Sequence, residues 1–93
     1  MDLKSERQKI DVIDQQIVQL LEERMLAVTN IADYKLEKGL AVLDTTREEQ
    51  VREKVAGYVK IDSFKETIVE SFQDIMNRSR EYQAKRMETK RDE

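Results

Sequence analysis

The chain has 93 residues, enough for one domain but marginal for a self-sufficient core. It contains no Pro, Cys, Trp or His and only 2 Gly, which excludes turn-rich sandwiches and barrels, disulfides, thiolate or imidazole catalysis, and Cys- or His-ligated metal. With 17 Lys and Arg against 20 Asp and Glu, its formal charge of −3 offers no general attraction for nucleic acid or an anionic membrane.

An all-α fold follows, with one long, one short and one medium helix in a single domain spanning 1–93. The first helix is expected over about 6–38, opened by a capping box of Ser5 and Gln8 and stopped by Gly39. Ile10, Ile13, Ile17, Leu20, Ala27, Ile31 and Tyr34 recur at helical spacing and form one sustained apolar stripe. A linker, 40–44, leads to a second helix over about 45–58, with Thr45 and Glu48 at capping-box spacing and Val51, Val55 and Val59 as its apolar face. Asp62-Ser63 interrupts the pattern, and Ser63 with Glu66 predicts the start of a third helix over about 64–85. It carries Phe64, Ile68, Phe72, Ile75 and Met76, and the polar tail 86–93 is expected to fray. No apolar run approaches membrane-spanning length and the opening segment is not a signal peptide, so the expected compartment is the cytoplasm.

Length bears on assembly. A helix over 6–38 would be ~50 Å long at about 1.5 Å per residue, whereas a compact chain of this size has a diameter near ~30 Å. The stripe continues into the overshoot, so another surface must cover it. A second copy is the simplest cover, giving an intertwined homodimer.

The interruptions of the apolar pattern are more informative than the pattern. Stepping by seven from Ile10 and Ile17 reaches Arg24, which falls in the middle of the stripe expected to be buried. Lys35 lies 11 residues further, close to three turns, and points in nearly the same direction. On the third helix the apolar series continues into Ser79 and Gln83, polar and one turn apart. Each has a plainer explanation taken alone: a snorkelling Arg24, a Lys35 that complements the helix dipole, a fraying stripe end. Together they describe buried cations in need of an anion, because burying them unpaired costs several kcal/mol. Asp44, Arg47 and Glu48 follow the turn at Gly39 and can fold back beside Lys35, although ordinary capping explains each singly. Arg7 is ~25 Å from Arg24 along the helix, too far to share a small site within one chain, but a partner's copy can reach it.

These residues, in this order, resemble the all-helical chorismate mutases over nearly the whole chain. Arg7-x-x-Ile10-x-x-Ile13-Asp14, Leu20-Leu21-x-x-Arg24, Lys35, Asp44-x-x-Arg47-Glu48 and Ser79-x-x-x-Gln83 are each similar to a segment of that family's pattern. The resemblance implies an intertwined dimer with two equivalent sites shared between chains, no cofactor, and the rearrangement of chorismate to prephenate in phenylalanine and tyrosine biosynthesis. It implies that Arg24 and the partner subunit's Arg7 hold the substrate carboxylates. Lys35 would contact a carboxylate and the ether oxygen, with Gln83 donating to that oxygen. Glu48, helped by the Asp44 backbone, would accept from the ring hydroxyl, and Arg47 and Ser79 would complete the polar wall. Some relatives carry Glu at the Gln83 position and need it protonated; an amide donates at any ordinary pH, so activity here should not require acid. The linker lacks the Pro that often accompanies this motif, and the loop before the third helix is short.

Two other functions fit parts of the sequence. An isochorismate-pyruvate lyase uses a similar scaffold, but lyase relatives tend to lack the acidic pair corresponding to Asp44 and Glu48. A helical dimerisation module would explain the heptad-like first helix, but not Lys35, Ser79 and Gln83.

Overall fold

A computed structural model describes residues 1–93. The first helix begins earlier than its capping signal predicts. Asp2 is extended (φ −109°, ψ 111°) and its carboxylate accepts from the Lys4 N–H at 3.1 Å, satisfying one of the free donors of the first turn. Helix α1 therefore spans Leu3–Lys38. Ser5 lies inside its first turn rather than at its cap, because Asp2 caps equally well and nothing between them breaks a helix. The stop is as expected: Gly39 takes the left-handed conformation (φ 69°), and the Gly39 and Leu40 N–H groups return to Leu36 and Lys35 carbonyls at 3.3 and 2.8 Å.

Helix α2 spans Thr45–Tyr58 and is capped by Asp44, whose carboxylate accepts from the Arg47 N–H at 3.0 Å. The expected reciprocal pair of Thr45 and Glu48 does not form, since the Glu48 side chain turns to the third helix instead. A short 3-10 turn, Asp62–Phe64, then leads into α3, Lys65–Arg91. Here too the expected Ser63–Glu66 box is absent. Backbone N–H groups of Phe64 and Lys65 bond to the Ile61 and Asp62 carbonyls, so the 3-10 turn satisfies donors that a side-chain cap would otherwise meet.

Helix α3 also outlasts its expected end near residue 85. Met87 is buried, and the Arg86 guanidinium donates to both carboxylate oxygens of Asp33 at 3.0 and 3.2 Å, with Lys90 Nζ 3.6 Å from the same group. A buried side chain and a bidentate pair thus hold 86–91 as docked helix instead of a fraying tail.

The cross-links give the topology. Arg24–Ser79, Thr29–Tyr82 and Asp33–Arg86 rise together in number, so α1 and α3 run parallel. Glu48–Arg80 and Arg52–Glu70 run oppositely, so α2 is antiparallel to α3. Helices α1 and α2 each pack on α3 and not on one another. The result is a flat layer with α3 in the middle, 54 × 27 × 15 Å in extent. Its radius of gyration of 16.4 Å exceeds the roughly 12 Å of a compact chain of this length.

The core is thin: Val28, Ala32, Val55, Met76 and Met87, with no large side chain fully enclosed. This corrects one expectation about the apolar stripe of α1. The residues that pack on α3 are Val28 and Ala32, whereas Ile10, Ile13, Ile17, Leu20, Ala27, Ile31 and Tyr34 are all exposed in the single chain. Helical spacing identified an apolar face, but α3 covers the neighbouring one. The N-terminal half of α1, 3–20, is exposed apart from half-buried Ser5. No helix is long and apolar enough to cross a membrane.

Candidate active site

Because α1 and α2 both lie on α3 without touching, a cleft of about 320 Å³ opens between them with α3 as its floor. That volume is at the small end of the roughly 300–1,000 Å³ typical of small-molecule sites. Seven of the eight residues singled out from the sequence line it: Arg24, Lys35, Asp44, Arg47, Glu48, Ser79 and Gln83. Arg7 does not. It lies on the exposed N-terminal half of α1, outside its own chain's cleft.

Two rungs join α1 to the floor. The Arg24 guanidinium donates to Ser79 Oγ at 2.8 Å, and Lys35 Nζ donates to Gln83 Oε1 at 2.9 Å. Ser79 and Gln83 are themselves buried, so these rungs fix the spacing of the cationic groups along the cleft. Lys35 Nζ also donates to the Val42 carbonyl at 2.8 Å, which folds the linker back over the end of α1. Lys35 therefore faces inward to neutral acceptors and does not serve its own helix's carboxyl end. With Oε1 of Gln83 engaged by Lys35, the amide N–H groups have no partner within the chain.

The opposite wall is built by α2 on α3. Gln73 Nε2 donates to Glu48 Oε1 at 3.2 Å, and Arg80 Nε lies 2.8 Å from Glu48 Oε2. The Arg80 Nε–H is buried and not directed at that oxygen, so the contact is Coulombic and not an aligned hydrogen bond. Sequence reasoning missed Arg80 and Gln73. The available signal was spacing: Arg80 comes four residues after Met76, which is buried, and so stands beside the core line of α3.

The charge pattern is one-sided. Four cations, Arg24, Lys35, Arg47 and Arg80, face two carboxylates, Asp44 and Glu48, in a chain that is acidic overall. Arg24, Lys35 and Arg47 form no ion pair within the chain; only Arg80 is matched. Just outside the cleft the Arg86 guanidinium, by hydrogen bonding, holds the Asp33 carboxyl below its ordinary value of 3.8, so this anion is committed to α3 and not to Lys35. Such a cleft suits a small dianion, with planar guanidinium forks for its carboxylates and further donors between them.

Comparison with known proteins bears on the family. The model of one family, chorismate mutase type II, matches residues 6–84, a span that takes in every residue of the cleft. No curated protein and no solved structure matches the chain. A family match across most of the chain, over an all-helical fold of three α-helices, shows that the chain belongs to the chorismate mutase type II family.

Proposed function

We propose that this protein converts chorismate to prephenate, and that it does so as an intertwined homodimer in which each cleft is completed by the partner subunit's Arg7. The observation that carries the reading is the set of cations in the cleft, Arg24, Lys35 and Arg47, which have no carboxylate partner in their own chain.

The reaction is an intramolecular rearrangement: one C–O bond of the ether breaks as one C–C bond forms, with no proton transferred. It requires no nucleophile or general base. What it requires is that a flexible dianion be held in its folded, chair-like conformer and that charge developing on the ether oxygen be met by fixed donors. In this cleft Arg24 and the partner subunit's Arg7 take the two carboxylates. Lys35 Nζ, held between Gln83 Oε1 and the Val42 carbonyl, supplies a cation to one carboxylate and to the ether oxygen. The free N–H of Gln83 approaches that oxygen from α3. Both donors gain most when the oxygen is most charged, so they act on the transition state more than on the bound substrate. Glu48 accepts from the ring hydroxyl, with Asp44 beside it, and Arg47 and Ser79 close the polar wall.

The exposed stripe of α1 supports the dimer. Ile10, Ile13, Ile17 and Leu20 cover nothing in their own chain, and an apolar groove lined by Val55, Val59, Phe64, Ile68 and Phe72 lies open between α2 and α3. A second copy's α1 has the length and the apolar face to fill it. The presence of both Asp44 and Glu48 favours the mutase over an isochorismate-pyruvate lyase, since the pair offers acceptors to a ring hydroxyl.

The test is turnover of chorismate by purified protein, with prephenate identified as product and Lys35→Ala alongside. Prephenate formed by the wild type and lost in the variant supports the reading. Pyruvate released from isochorismate, with chorismate untouched, moves the assignment to the lyase. A folded dimer with neither activity leaves a helical dimerisation module.

A further inference from the structure

Arg80 has no place in the mechanism above, yet it is the one cation of the cleft that is paired and the one whose Nε is enclosed. Its guanidinium is held from two sides. NH2 donates to Asn77 Oδ1 at 2.6 Å, while Nε lies against Glu48 Oε2 at 2.8 Å. Asn77 Oδ1 in turn accepts from Gln73 Nε2 at 3.0 Å, and Gln73 Nε2 also donates to Glu48 Oε1 at 3.2 Å. Glu48, Gln73, Asn77 and Arg80 thus close a ring of contacts across the α2–α3 seam.

Two consequences follow from that ring. One carboxylate oxygen of Glu48 accepts a hydrogen bond from Gln73 and the other is drawn to the Arg80 guanidinium by charge, so residues of α3 restrain where the carboxylate sits and which lone pairs it turns to the cleft. The charge of Glu48 is also offset. Of the four cations that the chain contributes to the cleft, Arg80 is the one that lies against a carboxylate. Resting on the function proposed above, we infer that Arg80 is a positioning residue that makes Glu48 a hydroxyl-selective acceptor, so that the site discriminates for a cyclic dicarboxylate bearing a ring hydroxyl against one lacking it. A hydrogen bond to an ionised group is worth a factor of about ten to a hundred in affinity, which sets the size of the discrimination.

The test is calorimetric binding of two non-reacting probes, prephenate and its analogue with the ring hydroxyl replaced by hydrogen, to wild type, Arg80→Leu, Arg80→Lys and Asn77→Ala. The wild type should prefer the hydroxylated probe by about tenfold or more. In Arg80→Leu the ratio of the two affinities should fall towards one, and Arg80→Lys should retain part of it. A merely structural role would weaken both probes alike and leave the ratio unchanged, and that result overturns the inference. Should Arg80→Leu fail to fold, the ratio in Asn77→Ala decides: a fall supports the inference and an unchanged ratio refutes it. No preference in the wild type also refutes it. Discrimination without rearrangement of chorismate sinks the proposed activity and leaves the role of Arg80 standing, whereas rearrangement with a ratio indifferent to Arg80 does the reverse.

Discussion

Replacing Ile13 by Glu tests the second copy most directly. Ile13 lies in the exposed stripe of α1, and Ile10, Ile13, Ile17 and Leu20 are between 46% and 62% exposed in the single chain. Full burial of such a side chain contributes about 1.5–3 kcal/mol, so covering the exposed half contributes roughly 1 kcal/mol each. Two-fold symmetry doubles this, giving about 8 kcal/mol per dimer from the stripe alone. Association itself costs about 4–15 kcal/mol, so the groove between α2 and α3 must add to it for a dimer at micromolar concentration. Glu at position 13 removes that coverage twice and sets a carboxylate into each apolar contact, at a cost of several kcal/mol per copy. The combined loss, about 6–10 kcal/mol, weakens the dimer by more than ~10⁴-fold. Helix propensity does not confound the result, because Glu is as good a helix former as Ile. Sedimentation velocity should show a dimer for the wild type and a monomer for Ile13→Glu at the same micromolar concentration. On the proposed function, chorismate turnover should fall about a hundredfold or more, because each proposed site would lose the partner subunit's Arg7. A monomeric wild type, or a dimeric Ile13→Glu protein with unchanged turnover, would refute the reasoning.

Three further outcomes are expected. Lys35→Ala should lower kcat by about 10²–10³ through loss of a preorganised donor, with urea midpoints near wild type because the lost hydrogen bonds are offset by removal of a half-buried cation without an anion; wild-type turnover in the folded variant would contradict this. Rearrangement should vary little between about pH 5 and 8 since the Gln83 amide does not titrate, while Gln83→Glu should work only towards acid; a steep fall in the wild type with the dimer intact would remove Gln83 from its role. The last concerns the end of α3. Hydrogen bonding to Arg86 holds the Asp33 carboxyl below 3.8, so the pair stabilises the fold fully above that value and ceases to as pH falls through the lower, folded one. Below about pH 4 the wild type should therefore lose stability more steeply than Asp33→Asn, with the similarly lowered Glu70 beside Arg52 contributing to the same limb in both. Equal slopes in acid urea titrations would show that Asp33 does not dock α3.

Much of this protein is legible in its sequence alone, for a reason of range. Helix periodicity, the stop at Gly39 and the break near Asp62 are set by interactions within a few residues, so composition and spacing reveal three helices and their order. The grouping of Arg24, Lys35, Ser79 and Gln83 was legible too, because polar residues on an apolar helix face are conspicuous against the pattern around them. Which helix lies in the middle was not. An apolar stripe states that a face is to be covered and not by what; only tertiary packing put Val28 and Ala32 of α1 against α3 and left Ile13 and Ile17 bare. The same limit hid the cap at Asp2, since Ser5 three residues on could serve as well and the path of the incoming chain chose. It hid the docking of 86–91, since Arg86 and Lys90 read as solvated charges until Asp33, more than fifty residues away, stands opposite them. The spacing from Met76 places Arg80 beside the core line of α3, but its pairing with Glu48 is not legible, because a contact made across space between two helices leaves no periodicity along the chain.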